Sequence, residues 1–194
     1  MIDPPGIKRS VTILGATGSV GTSTLDLILR APDRYNVVAL TAQRDVDGLA
    51  RAARAANAEL AVIGDERLYT ALKEALSDTG IEVASGAGAV VDAASRGADW
   101  TMASIVGCAG LPATLAALRC GRTVALANKE SLVSAGDVMM AEARASKAQL
   151  LPVDSEHNAI FQCLAGSPRE RVRRIVLTAS VVRSAPGRER RWGA

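Results

Sequence analysis

Short apolar runs rich in β-branched residues alternate along this chain with longer segments in which apolar residues recur every three or four positions. The short runs predict buried strands, and the longer segments predict helices with one apolar face. Strands are predicted over residues 10–14, 37–41, 60–63, 81–84, 100–103, 123–127 and 150–153, and helices over 22–29, 46–56, 66–77, 111–118 and 137–147. This alternation predicts an α/β domain in which helices cover both faces of a parallel sheet.

The pattern changes after residue 150. A helix over 159–164 and one more strand over 171–178 are predicted there, whereas the stretch 181–194 has no helical or strand period and is assigned no fold. We therefore predict one domain over 1–149, the beginning of a second domain over 150–180, and an unstructured basic tail over 181–194.

Composition and charge narrow the function classes. With 194 residues, of which 48% are hydrophobic, the chain is long enough for one packed α/β domain. Four arginines and one glutamate within 181–194 account for the formal net charge of +3, so the rest is neutral, which argues against nucleic-acid binding. Widely spaced cysteines, no signal-type N-terminus and no membrane-length apolar run predict a reduced, cytoplasmic protein.

Three glycines follow the first predicted strand and open the first predicted helix: Gly15, Gly18 and Gly21. In dinucleotide-binding folds such glycines provide a tight turn, close backbone approach to a pyrophosphate, and close packing of helix on strand. The spacing is G-x-x-G-x-x-G rather than G-x-G-x-x-G, and a glycine turn here also occurs in folds that bind nothing. Nucleotide binding is the favoured interpretation, and a structural turn is the alternative.

The residues after the second strand predict the choice of cofactor. An acid there would bind the ribose 2′-hydroxyl of NAD, whereas Arg44, with no acid before it, favours the 2′-phosphate of NADP. The alternative is that Arg44 is a solvated surface residue beside Asp45.

Polar residues also follow the strand predicted over 123–127, at the edge where open α/β sheets bind ligands. The four residues are Asn128, Lys129, Glu130 and Ser131. They are suited to a binding site, and equally to an N-cap cluster that begins a helix.

Two acids, Asp154 and Glu156, follow the strand predicted over 150–153. In an extended segment, side chains two apart point to the same side, so both carboxylates can converge on Mg²⁺ or Mn²⁺. Such a site needs further ligands, and an isolated Asp-x-Glu is usually a solvated loop. His157, the single histidine, is predicted to cap or pack rather than to bind zinc.

Three blocks give the chain a resemblance to a known family: Leu14 to Gly21, Leu126 to Val133, and Leu150 to Gln162. On these blocks, and from about residue 11 to 180, it resembles the N-terminal part of the 1-deoxy-D-xylulose 5-phosphate reductoisomerases. The resemblance implies a Rossmann-like NADPH-binding domain followed by the start of an incomplete α+β catalytic domain. It implies NADPH-dependent rearrangement and reduction of 1-deoxy-D-xylulose 5-phosphate to 2-C-methyl-D-erythritol 4-phosphate, in non-mevalonate isoprenoid biosynthesis.

The resemblance also implies roles for individual residues. Contacts with NADPH are implied for Thr17, Gly18, Ser19, Val20, Gln43, Arg44, Asp45, Asn128 and Glu130. Substrate contacts are implied for Lys129, Ser155 and Glu156, of which Lys129 and Glu156 are the catalytic candidates, and Asp154 and Glu156 are the implied ligands of Mg²⁺, Mn²⁺ or Co²⁺. A sugar-phosphate substrate and, for the full-length family, a homodimer follow as expectations, with no nucleic acid and no membrane.

The chain departs from the family pattern in two places. The family usually has Gly, a basic residue and Asn where Gln43, Arg44 and Asp45 stand, and Asp45 is unfavourable beside a cofactor phosphate. After residue 178 the family continues with a Gly-Gly-Pro-Phe-Arg loop, a third metal carboxylate and a helical domain.

A change of reading frame would explain the second departure. The message GGT GGT CCG TTC CGC C encodes the family loop, and from its second base it gives Val-Val-Arg-Ser-Ala, as at 181–185. We therefore expect an out-of-frame tail on a truncated reductoisomerase with negligible turnover. The alternative function is that of a catalytically inactive, NADPH-binding fragment.

Overall fold

The structure, a computed structural model, describes residues 8–166 and 168–175. It has two compact units, the first ending at Asp154 and the second beginning at Ser155. The tail predicted over 181–194 lies outside the described residues. The domain boundaries predicted from the sequence stay predictions.

Within residues 8–166, seven parallel strands form the sheet of the first unit. They are β1 (Arg9–Leu14), β2 (Tyr35–Ala42), β3 (Leu60–Ile63), β4 (Glu82–Ser85), β5 (Trp100–Ala103), β6 (Thr123–Leu126) and β7 (Gln149–Pro152). Their order across the sheet is β4-β3-β2-β1-β5-β6-β7. This is a Rossmann-like, doubly wound sheet, and its ligand crevice is expected where the strand order reverses, at the carboxyl ends of β1 and β5.

Helices cover both faces of this sheet, as the alternation of elements predicts. On one face α1 (Ser19–Leu29), α2 (Val46–Ala56) and α3 (Tyr69–Ala75) lie side by side, and on the other α4 (Gly86–Ala94), α5 (Leu111–Arg119) and α6 (Lys129–Ser146) do so. The second unit contains α7 (Ser155–Leu164) and a 3₁₀ turn, Arg169–Arg171.

The central strand β1 carries side chains into both apolar layers. Ile13 is fully buried in a cluster with Leu49 of α2. Leu14, one residue later, is buried on the opposite face with Leu118 of α5 and Met139 of α6. Each such side chain contributes roughly 1.5–3 kcal/mol through burial. The end of β1, where the glycine loop begins, is therefore anchored on both sides.

The helix α4 was not predicted from the sequence. It begins with Gly86 and contains Gly88, residues that disfavour helices, and no side chain caps its N-terminus. Its contacts with β2 and β3 on one side and α5 on the other outweigh this weak propensity. Ala93 and Ala94 are buried, so tertiary packing stabilises the helix.

Two further predictions need correction. The helix predicted over 137–147 begins eight residues earlier, at Lys129, and has a non-helical residue inside it at Ala135. The strand predicted over 171–178 is wrong for residues 172–175, which the structure describes as irregular, and its remainder lies outside the described residues.

Candidate functional site

The glycine loop after β1 is held between the ends of β2 and β5. Gly15 has a φ of 85°, which side chains rarely allow, so this turn requires glycine. Its N–H donates to Thr41 Oγ1, at the end of β2, over 3.0 Å. Ser104, directly after β5, donates its hydroxyl to the Leu14 carbonyl over 2.6 Å. Both neighbouring strands therefore fix the loop where the strand order reverses.

Gly21 allows the first turn of α1 to lie against this loop. A Cβ on Gly21 would be 2.1 Å from the Gly15 carbonyl oxygen, an overlap that only glycine avoids. Gly18 is the N-cap of α1, and a Cβ there would meet a single atom within 4 Å, the same oxygen at 3.5 Å. The turn at Gly15 and the close packing at Gly21 are confirmed. Gly18 leaves room for a ligand at a helix N-terminus, where N–H groups favour an anion.

A cavity of about 500 Å³ opens beside the glycine loop. Val90 and Val91 of α4 and Ile105, after β5, form apolar parts of its wall. Apolar walls with a few polar groups are typical of cofactor sites. Three of the predicted cofactor residues line the cavity: Thr17, Gly18 and Gln43.

The three residues after β2 have different surroundings. Gln43 lines the cavity, and its side-chain amide lies so close to Gly64 that a Cβ there would be 2.4 Å from Oε1. Asp45 caps α2, because its Oδ1 accepts from the Gly48 N–H at 2.8 Å. That carboxylate is directed at the positive end of the α2 dipole, which reduces its repulsion of a cofactor phosphate. A cofactor contact by Asp45 stays a prediction.

Arg44 is paired with Asp65, at the end of β3, rather than with Asp45. Its Nε lies 3.3 Å from Asp65 Oδ2, and the same oxygen accepts from Arg67 Nη2 at 2.6 Å. The hydrogen bonds from Arg67, above all those of its side chain, hold the pKa of Asp65 well below its usual range. Asp65 therefore remains a carboxylate at every physiological pH.

Asn128 connects α6 to the segment after β5. It is 3% exposed, and its Oδ1 accepts from the Ser131 N–H at 3.1 Å, so it is the N-cap of α6. Its Nδ2 donates to the carbonyls of Ile105 and Gly107, each at 2.7 Å. The N-cap interpretation is confirmed for this residue, which also holds the backbone of a cavity wall. A direct contact of Asn128 with NADPH stays a prediction.

Lys129 and Glu130 form the first turn of α6 and are both exposed. Asn128 fixes this turn, and Ser131 in it is fully buried. The non-helical residue Ala135 separates the turn from the rest of α6. The two charged side chains are therefore available to a ligand on a short, anchored piece of helix.

The acidic segment after β7 is helical rather than extended. Ser155 and Glu156 begin α7, and the Ser155 hydroxyl donates to Glu156 Oε2 at 3.1 Å. The predicted extended conformation is therefore wrong for Ser155 and Glu156, which belong to α7. Metal and substrate contacts by Asp154, Ser155 and Glu156 stay predictions, and His157 is an exposed residue of α7.

The described ranges, 8–166 and 168–175, contain no group of three or more His, Cys, Asp or Glu side chains that could hold a metal ion. A divalent cation bound by carboxylates from this part of the chain would therefore need additional donors from a substrate, from water or from other protein groups.

Several residues of the site were not predicted from the sequence. Thr41 and Ser104 hold the glycine loop, and Val90 and Val91 line the cavity. The first two are polar residues at the carboxyl ends of the strands that flank β1, a position that could have indicated them. The two valines belong to α4, so they were missed with that helix.

Two family models match the chain. Residues 11–136 match the model described as 1-deoxy-D-xylulose 5-phosphate reductoisomerase. Residues 150–186 match the model of the C-terminal domain of that enzyme. The chain belongs to the 1-deoxy-D-xylulose 5-phosphate reductoisomerase family. Its three sequence blocks, at 14–21, 126–133 and 150–162, overlap these matches.

Curated reductoisomerases are similar to this chain at high identity. The enzyme of Zymomonas mobilis is 64% identical over 172 residues, which are 89% of this chain and 44% of that protein. The enzyme of Rhodospirillum centenum is 58% identical over 172 residues, which are 89% of this chain and 43% of that protein. The chain thus spans less than half the length of these reductoisomerases.

Solved reductoisomerase structures share the fold. The Zymomonas mobilis enzyme in complex with NADPH matches with a TM-score of 0.81 and 63% identity over 84% of this chain and 42% of that one. A DOX-P reductoisomerase in complex with NADPH, fosmidomycin and magnesium matches with a TM-score of 0.78 and 42% identity, over 82% of this chain and 40% of that one.

Among the described residues of our chain, no helix combines the length and apolar character that crossing a bilayer requires.

Proposed function

We propose that the first unit of this chain binds NADPH in the crevice beside the glycine loop. The observation that carries this proposal is the glycine cradle, in which Gly15 and Gly21 leave no room for side chains while Gly18 leaves space at the N-terminus of α1. The pyrophosphate would accept hydrogen bonds from the N–H groups of Ser19 and Val20. Thr17 and Gly18 would contact it from the loop.

The two ends of the cofactor would meet different groups. Gln43 and Arg44, after β2, would contact the adenosine ribose and its phosphate, with Asp45 beside them. Asn128 and Glu130, at the start of α6, would lie toward the nicotinamide, next to the segment that Asn128 fixes. The apolar wall with Val90 and Val91 would exclude water from part of the cofactor.

The whole protein is proposed to carry out the reaction of its family, the rearrangement and reduction of 1-deoxy-D-xylulose 5-phosphate to 2-C-methyl-D-erythritol 4-phosphate. NADPH would supply the hydride, and a divalent cation would polarise the substrate carbonyl. Lys129 would hold the anionic substrate from the exposed first turn of α6. Ser155 and Glu156 would contact the substrate, and Asp154 and Glu156 would contribute carboxylates to the cation.

A second candidate function is NADPH binding without catalysis. It is favoured by the lack of a three-ligand metal group within residues 8–166 and 168–175. In this case the chain binds the cofactor but does not complete the chemistry, because a carbonyl without a Lewis acid is harder to rearrange.

Two assays on the purified chain test these proposals. A fluorescence titration with NADPH is expected to give saturable binding. If a chain whose cooperative unfolding shows that it is folded did not bind NADPH, the cofactor proposal would be wrong. Absorbance at the NADPH band, followed with 1-deoxy-D-xylulose 5-phosphate and Mg²⁺ or Mn²⁺, then separates the two functions. Turnover at an ordinary enzyme rate supports the complete reaction, and binding without turnover supports the second candidate.

A cytoplasmic location and a homodimer of the full-length family are proposed alongside this function. They derive from the family resemblance and from the cysteine usage of the sequence. Fractionation of cells and light scattering of the purified protein test them separately.

A further inference from the structure

Two arginines share one carboxylate beside the cofactor crevice. Arg67 makes a two-point contact with Asp65, Nε to Oδ1 at 2.9 Å and Nη2 to Oδ2 at 2.6 Å. Arg44 approaches the same Oδ2 with its Nε, at 3.3 Å. The Asp65 side chain is 10% exposed, whereas those of Arg44 and Arg67 are 72% and 79% exposed. The carboxylate is therefore the inner member of the cluster and the guanidinium groups are the outer ones.

The backbone brings this cluster to the ribose end of the crevice. The Gly64 N–H donates to the Ala42 carbonyl at 2.8 Å, and the Asp65 N–H donates to the Gln43 carbonyl at 3.0 Å. Gln43 and Gly64 both line the cavity. Asp65 thus follows directly after Gly64, which lines the cavity. Its backbone hydrogen bond to Gln43 joins the segment after β2 to the turn that carries Arg67.

The charge of the cluster suits a phosphate. Two guanidinium groups and one carboxylate leave one net positive charge. Of the acids adjacent in sequence, Asp45 caps α2, and the Glu66 side chain lies beside Gly86 at the start of α4, where a Cβ on Gly86 would be 2.5 Å from Glu66 Oε1. A guanidinium carries five N–H donors, and between described residues Arg67 uses those of Nε and Nη2 only. Donors remain on the outer side of the cluster for a second oxyanion.

We propose that Arg67 joins Arg44 in binding the ribose 2′-phosphate of NADPH, with Asp65 as the positioning residue that orients both guanidinium groups. This inference rests on the proposed binding of NADPH in the crevice. It adds a selectivity determinant from the turn after β3, twenty-three residues after Arg44.

Titration of matched variants with NADPH and with NADH tests the inference. Arg67→Ala is expected to weaken NADPH binding by roughly tenfold and to change NADH binding by less than about twofold, because NADH lacks the phosphate. Arg44→Ala is expected to act in the same direction. Arg67→Lys keeps the charge but loses the planar fork, so its loss should be intermediate.

Arg96→Ala is the control, because Arg96 also pairs with a carboxylate, Glu82 at 2.6 Å, but at the opposite end of the strands. It should change neither affinity. Melting temperatures of all variants, followed by circular dichroism, show whether the fold persists.

The outcomes separate this inference from the proposed function. If Arg67→Ala lost affinity for NADPH and NADH equally, or lost none, the inference would be overturned, since Arg67 would then only support the turn. Equal affinity of the parent chain for NADPH and NADH would overturn it while leaving cofactor binding intact. A folded parent chain that binds neither nucleotide would overturn the proposed cofactor site and this inference together.

Discussion

Gly18 and Gly21 are three residues apart in the same loop and helix, yet their surroundings differ sharply. A Cβ on Gly21 would overlap the Gly15 carbonyl oxygen at 2.1 Å, whereas a Cβ on Gly18 would be in ordinary contact at 3.5 Å. We therefore expect stability to depend on Gly21 and NADPH binding to depend on Gly18. Backbone atoms form the contact at Gly21, so no side-chain rotation can relieve it.

We expect Gly21→Ala to lower the free energy of unfolding by about 2 kcal/mol or more, because helix and loop must separate. Gly18→Ala should have a free energy of unfolding within about 0.5 kcal/mol of that of the parent chain. It should nevertheless weaken NADPH binding, since its methyl group would occupy space needed by the pyrophosphate. Urea unfolding and NADPH titration measure the two effects. Equal stability of the two variants would contradict the assigned packing role.

Sequence reasoning at the residue scale succeeded where a local backbone rule applies. The turn at Gly15 and the close packing at Gly21 follow from glycine spacing between a strand and a helix. The pairing of Arg44 with Asp65 could not be predicted, because it depends on which strands are neighbours and on the side-chain geometry after β3. The prediction of an extended segment at the two acids was wrong because α7 begins directly after Asp154.

At the scale of elements, Asn128 joins two segments that border the crevice. It caps α6, and its amide satisfies the carbonyls of Ile105 and Gly107. Asn128 is buried and its two amide hydrogen bonds are partly buried, and an unpaired carbonyl in such a place costs free energy. The position of the wall after β5 thus depends on a side chain from the end of β6.

Asn128→Ala is expected to lower the free energy of unfolding by about 2–4 kcal/mol, through the lost cap and the two unpaired carbonyls. Asn128→Asp is the matched variant, because Asp caps helices as well as Asn but has no N–H to donate. If the loop carbonyls matter, Asn128→Asp remains destabilised in urea. Full recovery in that variant would show that the cap alone stabilises α6.

A second link between elements joins β1 to the start of β5. Asp99 Oδ2 accepts from the Ser10 N–H at 2.7 Å and from its hydroxyl at 2.9 Å. The backbone hydrogen bond first, and the hydroxyl second, lower the pKa of Asp99. A lowered folded-state pKa stabilises the fold above the unfolded-state pKa of about 3.9, and this stabilisation is lost as the pH falls through the folded-state value.

We therefore expect the free energy of unfolding to decrease between about pH 5 and pH 2. Asp99→Asn should remove about 1–2 kcal/mol at pH 7 and less at pH 2, so the pH dependence becomes shallower. Urea titrations at several pH values measure the difference. If the free energy of unfolding depended on pH equally in Asp99→Asn and in the parent chain, this carboxylate would not have the assigned role. The pH dependence that remains in the variant comes from Asp65 and Asp78, whose pKa values are also lowered.

The elements themselves were predicted best where pattern and packing agree. The helix α2 and the strands β3 and β5 have the bounds that the sequence predicts. Both Asp45 and Asn57 mark the ends of α2, as an N-cap and a left-handed C-cap. The helix α4 has glycines and no capping side chain, so it depends on its packing against β2, β3 and α5.

At the scale of the whole molecule, the alternation of strands and helices predicts the class of fold, and the order of strands then determines the site. The strand order reverses between β1 and β5, and the glycine loop, Thr41 and Ser104 meet at that point. Sequence patterns alone give no strand order, so they could not show which polar residues converge there. The family resemblance supplied the functional expectation, and the proposed cofactor site rests on the geometry of the crevice.

Amide chemical shifts of the chain, followed during titration with NADPH, show whether the cofactor binds beside the glycine loop. Binding in the crevice predicts the largest shift changes at Gly15 to Val20, at Gln43 and Arg44, and at Ser104 to Gly107, with small changes at Glu82 and Arg96 on the opposite edge. Saturable binding whose largest shift changes fall outside these segments would show that NADPH binds elsewhere and would overturn the proposed cofactor site.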